Sequence, residues 1–120
     1  MNKLLELLKR LCEFDGTSGD EDRVRAFIQS EIVGGDVKTD NLGNLIVFKK
    51  GRKAPKNKVM LAAHMDEVGF MITHITDDGL LKFGAVGGID ARVVIGRQLR
   101  LASGAIGVVG TKAVHQQSAD

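Results

Sequence analysis

An apolar run in this chain ends in an abrupt cluster of polar groups, "VMLAAHMDEVGF" at residues 59–70. His64 and Asp66 stand two positions apart in it. A neutral imidazole is a good ligand for a borderline divalent metal such as zinc. A carboxylate beside it can orient the ring and strengthen it as a ligand. Glu67 adds another anionic group, which its adjacent position points elsewhere. Alternate residues of a strand share a side, so a strand running through the motif would bring His64 and Asp66 together and turn Met65 away. Strand ends in open α/β sheets are also where ligands tend to bind. Spacing alone leaves a second reading open, because H-x-D is short and capping or surface polar groups would satisfy it. The context favours chemistry, since polar groups at the tip of an apolar strand lie beside a core at a cost.

The other chemical candidates are fewer. His74 falls in "FMITHIT", where alternation puts Phe70, Ile72 and His74 on one side of a strand and makes His74 a structural or surface residue. His115 lies in the tail "KAVHQQSAD" and is not expected to ligate. A catalytic zinc usually takes three protein ligands, and no second compact cluster of ligands is visible. The sequence has no H-E-x-x-H, C-x-x-C, G-x-S-x-G or P-loop pattern. "GAVGGIDA" is glycine-rich without matching the dinucleotide fingerprint. The single cysteine, Cys12, excludes an internal disulfide and reads as a small core residue of a helix in a reducing, cytoplasmic setting.

Composition narrows the partners. The chain has 120 residues, enough for one modest domain, with 43% hydrophobic and 27% charged residues. A net charge of +2 gives no large field for nucleic acid or an anionic membrane. Aromatics are 4%, with no Trp or Tyr, too few for a base-stacking surface. The basic stretch "KGRKAPKNK" therefore reads as a solvated loop tip. Glu6, Lys9 and Arg10 break the N-terminal apolar run, so no signal sequence or membrane span is expected there.

The elements that must hold His64 and Asp66 follow from periodicity. Leu4, Leu8 and Leu11 predict a helix over residues 3–13. Ser18 and Glu21 have the spacing of a capping box, ahead of a second helix with Val24, Phe27, Ile28 and Ile32 on its apolar face and Gly34 or Gly35 as its cap. "DVKTD" and "NLIVFKK" around "NLGN" predict a hairpin. "KVMLAA" predicts a strand covered on both faces. After Glu67 come "GFMITHIT" and "LLKFGAV" around "DDG", then "RQLRLA" and "AIGVVGT" around "SG". The change from α/β to short antiparallel strands near Gly69 marks a candidate boundary between residues 1–68 and 69–120. Both parts look like beginnings of domains.

Five ordered blocks carry a more specific signal: "GTSGDEDRVRAFI" within residues 4–28, "DNLGNLIV" at 40–47, "AAHMDEVGFMI" at 62–72, "VGGIDARVVIGR" at 86–97 and "GAIGVVGTK" at 104–112. Together they resemble the N-terminal part of the cytoplasmic metallo-aminopeptidases of the glutamyl and tetrahedral aminopeptidase family. The resemblance implies removal of N-terminal residues from peptides by two neighbouring divalent metals, which are zinc, cobalt or manganese. It implies that His64 ligates one metal and that Asp66 is the motif aspartate usually listed as catalytic. It also implies the first part of an α/β catalytic domain followed by part of an inserted β-barrel-like domain. Members are sometimes labelled cellulases or endoglucanases, yet no suitably spaced carboxyl pair for glycoside cleavage stands out here.

In the family the remaining ligands and the glutamate general base come later than residue 120. The resemblance therefore implies a fragment, with little or no activity alone and a tendency to self-associate through apolar edges left unpaired near "KVMLAA". A non-catalytic assembly or regulatory module derived from the family is the alternative. An unrelated small β-rich binding protein, with H-x-D incidental, fits the ordered blocks least well.

Overall fold

The computed structural model describes residues 2–53 and 56–111. Pro55 of the basic loop and His115 of the tail lie outside the described residues. Helix α1 (Lys3–Glu13) starts at Asn2, whose side chain accepts a hydrogen bond from the Leu4 backbone N–H at 3.0 Å. That bond satisfies one of the helix's orphan donors. The leucine stripe is present but open, with Leu4 69% exposed. Cys12 is exposed too, which corrects its reading as a core residue. No described element covers this stripe.

Helix α2 (Asp22–Glu31) carries the core of its region, with Val24 and Phe27 buried. The Phe27 ring packs on Phe14 with centroids 5.2 Å apart. The Arg10 guanidinium lies 4.1 Å from the Phe27 centroid and reaches Glu31 at 3.6 Å, so α1 and α2 meet around one aromatic ring. The expected capping box does not form. The helix begins three residues too late for Ser18 to cap it, and Glu21 instead accepts from the Gly19 N–H at 2.8 Å. The glycines do not cap its other end either, because Ile32 already leaves the helix in extended conformation. Gly35, at φ +104°, turns the chain into the next strand, where an added Cβ would lie 2.9 Å from the Phe48 carbonyl oxygen.

Strands β1 (Asp36–Thr39) and β2 (Leu45–Phe48) form the expected antiparallel hairpin, in register from Asp36 opposite Phe48 to Thr39 opposite Leu45. Its turn is closed by Asp40, which accepts from the Leu42 and Asn44 backbone N–H groups and from Asn44 Nδ2, each at 2.9 Å. The Asn44 side chain, first among these donors, holds the Asp40 carboxyl below its ordinary value. Arg25 on α2 donates to the Gly43 carbonyl at 3.3 Å and ties the helix to this turn.

The strand expected at "KVMLAA" is not formed. Val59, Met60 and Leu61 are all open to solvent, Leu61 at 94%. A strand exists only as part of a ladder, and the described residues supply no neighbour for this one. Strands β3 (Gly69–Ile75) and β4 (Leu81–Val86) do pair, antiparallel, with Phe70 and Phe83 edge to face at 5.0 Å. Their register shifts between Ile72 and His74. The irregularity resets the alternation, so Phe70, Ile72 and His74 do not form the continuous face that the sequence suggested.

The chain divides into two compact units, Met1–Gly87 and Gly88–Asp120. The second holds a 3-10 turn (Ala91–Val93), the buried Val94, and a hairpin of β5 (Gln98–Arg100) and β6 (Ile106–Val108). In "VGGIDARV" the Asp90 carboxylate is taken up by the Arg92 backbone N–H at 3.0 Å and by its guanidinium at 2.6 Å. The architecture is thus α/β, with three two-stranded antiparallel sheets among the described residues. No described helix is long and apolar enough to cross a membrane. Phe27→Ala should remove the ring that joins α1 to α2 and cost about 3 kcal/mol. Urea unfolding followed by helical circular dichroism would show it, and an unchanged midpoint would contradict this packing.

Candidate functional site

The segment carrying His64 and Asp66 is positioned by the loop between the two helices. The Glu67 backbone N–H donates to the Gly16 carbonyl at 2.7 Å, and Thr17 and Glu67 form an isolated parallel bridge. In return the Gly16 N–H donates to Glu67 Oε1 at 3.2 Å. Glu67 therefore faces the loop, as its place beside the motif suggested. Gly69 makes the approach possible, and Gly16 lets α2 pack against the loop. An added Cβ at Gly16 would lie 2.8 Å from Val24 Cγ2, and one at Gly69 would overlap Thr17 Oγ1 and sit 2.7 Å from its Cγ2. Residues 16–18 and 64–69 can close on each other because Gly69 has no side chain to meet Thr17, while the bare Gly16 leaves room for Val24 of α2.

His64 and Asp66 do meet, though by local hydrogen bonding and not by strand alternation. His64 Nδ1 lies 3.0 Å from the Asp66 carbonyl oxygen and 3.1 Å from Asp66 Oδ1. Both partners are acceptors, so a neutral ring carries its hydrogen on Nδ1 and keeps its lone pair on Nε2. The ring is 84% exposed, which leaves Nε2 open to a ligand. The other carboxylate oxygen, Asp66 Oδ2, accepts from Ser18 Oγ at 2.5 Å. That hydroxyl is the first cause of an Asp66 carboxyl held below its ordinary value, and the His64 ring acts in the same direction.

Three residues thus form a chain, from Ser18 to Asp66 to His64. The sequence pointed to the last two and assigned Ser18 to a helix cap; its partner lies 48 positions away, beyond the reach of a local pattern. His74 is elsewhere, opposite Lys82 in the β3–β4 ladder and exposed. Among the described residues no three His, Cys, Asp or Glu side chains gather as a metal site. The donors present fit one corner of a divalent-metal centre, an imidazole with the carboxylate that orients it, and not a whole centre.

The family model of the M42 glutamyl aminopeptidases matches residues 43–120, a stretch that includes the His64–Asp66 pair. The chain belongs to the M42 glutamyl aminopeptidase family. A curated relative, a "putative aminopeptidase" of Acetivibrio thermocellus, is 43% identical over 108 residues, which are 88% of this chain and 32% of the relative. A Thermotoga maritima structure titled endoglucanase is 43% identical with a TM-score of 0.79, covering 88% of this chain and 34% of that one. The Pyrococcus horikoshii TET1 peptidase, described as assembling into a tetrahedron or a large octahedral shell, is 40% identical with a TM-score of 0.74, covering 97% of this chain and 36% of that one. This M42 chain spans about a third of the length of the curated relative.

Gly69→Ala should push Thr17 away and open the clasp, at about 1–3 kcal/mol. Loss of the Glu67 amide's protection from exchange would report it, and a variant with the parent's stability and protection would contradict the close approach. Acid should act on the same place. A carboxyl whose folded value is lowered contributes stability above its unfolded value, about 3.9 for Asp, and that contribution is lost as pH falls through the folded value. Asp66 therefore adds to stability at neutral pH and stops doing so in acid. The parent's stability should fall more steeply below about pH 4 than that of Asp66→Asn; identical acid profiles would contradict the hydrogen-bonded carboxylate.

Proposed function

We propose that this chain supplies the first part of a dinuclear-metal aminopeptidase, a hydrolase that removes N-terminal residues from peptides. Membership of the M42 family supports the reaction class. The observation that carries the site is the His64–Asp66 pair, with Nδ1 engaged and the rest of the ring open to solvent. His64 is the metal ligand in this reading, and Asp66 is the catalytic-motif carboxylate that fixes its ring. Zinc, cobalt or manganese bound there would supply Lewis acidity and an activated water. The chain's own part is to hold one imidazole in one tautomer, at a place fixed by the clasp of residues 16–18.

The 120 residues alone are inactive in this reading. One imidazole with its carboxylate is short of the three protein ligands of an open catalytic centre, and the described residues add no cluster to it. Residues 1–68 belong to the α/β catalytic domain and residues 69–120 to part of an inserted β-barrel-like domain. The site would be cytoplasmic, in keeping with a lone, exposed cysteine. Self-association also belongs to this reading. It is supported by the open apolar residues Val59, Met60 and Leu61 and by the shells described for the Pyrococcus horikoshii peptidase.

The test places residues 1–111 in the matching third of the Pyrococcus horikoshii TET1 peptidase. The chimera should release N-terminal residues from peptides in a metal-dependent way, and His64→Ala should reduce the release by at least about 100-fold. A folded chimera whose activity does not depend on His64 would overturn the site. The 120-residue chain, at verified mass and loaded with zinc or cobalt, should release nothing, and strong release would overturn its incompleteness. Sedimentation of that chain should give species larger than a monomer, and a monomer at high concentration would contradict self-association.

A further inference from the structure

The clasp gives Ser18 a role outside the metal-site reading, although its use in catalysis rests on that reading. Ser18 Oγ reaches Asp66 Oδ2 at 2.5 Å, while Asp66 Oδ1 lies 3.1 Å from His64 Nδ1, beside the Asp66 carbonyl oxygen at 3.0 Å. A carboxylate held at one oxygen has little freedom to turn its plane, so the second oxygen stays aimed at the imidazole. The hydroxyl is itself held in place. Its neighbour Thr17 bridges to Glu67, the Gly16 carbonyl takes the Glu67 N–H at 2.7 Å, and the Gly16 N–H returns to Glu67 Oε1. Ser18 does not cap α2, which begins at Asp22, and its hydroxyl donates instead to Asp66.

We propose that Ser18 is a positioning residue, acting through Asp66 to fix the His64 ring as the Nδ1–H tautomer and so to present the Nε2 lone pair to a metal. Outer partners of metal-binding histidines commonly set tautomer and ring orientation in this way. Ser18 touches neither the metal nor the peptide in this account. It acts two hydrogen bonds away, from the loop between α1 and α2.

The test reads the His64 ring nitrogens directly, by long-range proton–nitrogen correlation on the metal-free 120-residue chain in mildly alkaline buffer, where imidazole is neutral. The parent should show one dominant tautomer, with the hydrogen on Nδ1. Ser18→Ala should lose that dominance and give a mixture, Ser18→Thr should restore it, and helical circular dichroism should be the same in all three. Ser18→Cys, with a weak donor of similar shape, should fall between parent and alanine and provides the comparison if Ser18→Ala loses helix. An unchanged tautomer in folded Ser18→Ala or in folded Ser18→Cys overturns the proposal. A parent without a dominant Nδ1–H tautomer also overturns it. Because no metal enters the measurement, failure of the metal-site reading, seen as chimera activity independent of His64, leaves this result intact and distinct.

Discussion

The hydrogen bond from the Glu67 backbone N–H to the Gly16 carbonyl, at 2.7 Å, is the contact on which the site depends. It brings a loop between two helices against a segment about 50 residues further along the chain, and it is the anchor from which Ser18 reaches Asp66. Without it the HMDE segment would continue the open, unpaired run before it. Val59, Met60 and Leu61 are exposed only a few residues upstream, while Glu67 is held on both its backbone and its side chain. The change from open chain to anchored chain falls where the candidate chemistry is.

The anchor needs space as well as partners. Gly16 and Gly69 face side chains that would collide with any Cβ, Gly69 facing Thr17 within the loop-to-segment contact and Gly16 facing Val24 of α2. The positioning of α2 matters for the same reason. Val24 packs beside Gly16, and Phe27 holds α2 against Phe14 at the end of α1. A small core thus fixes the loop, and the loop fixes an imidazole.

Local patterns made much of this legible. Leucine spacing marked α1, and "NLGN" and "DDG" marked the turns of two hairpins, because helices and tight turns depend on neighbours in sequence. H-x-D marked two residues that the structure does bring together, though not in the way expected. A strand was expected to align the two side chains, whereas a local hydrogen bond to the Asp66 backbone and carboxylate does so. Ser18 was misassigned because a capping box is a local pattern and its real partner is remote. "KVMLAA" has strand composition, but a strand also needs a neighbour, and no pattern within six residues can supply one. The register shift between Ile72 and His74 was hidden because alternation says nothing about a partner strand's register.

Amide hydrogen exchange on the 120-residue chain tests the central claim most directly, comparing Glu67 with Leu61 and Ala62. An anchored segment predicts that the Glu67 amide exchanges far more slowly than those two, which should exchange at the rate of open chain. A Glu67 amide as fast as theirs would mean that the loop does not hold the segment, and that the His64–Asp66 pair has no fixed place in this fold.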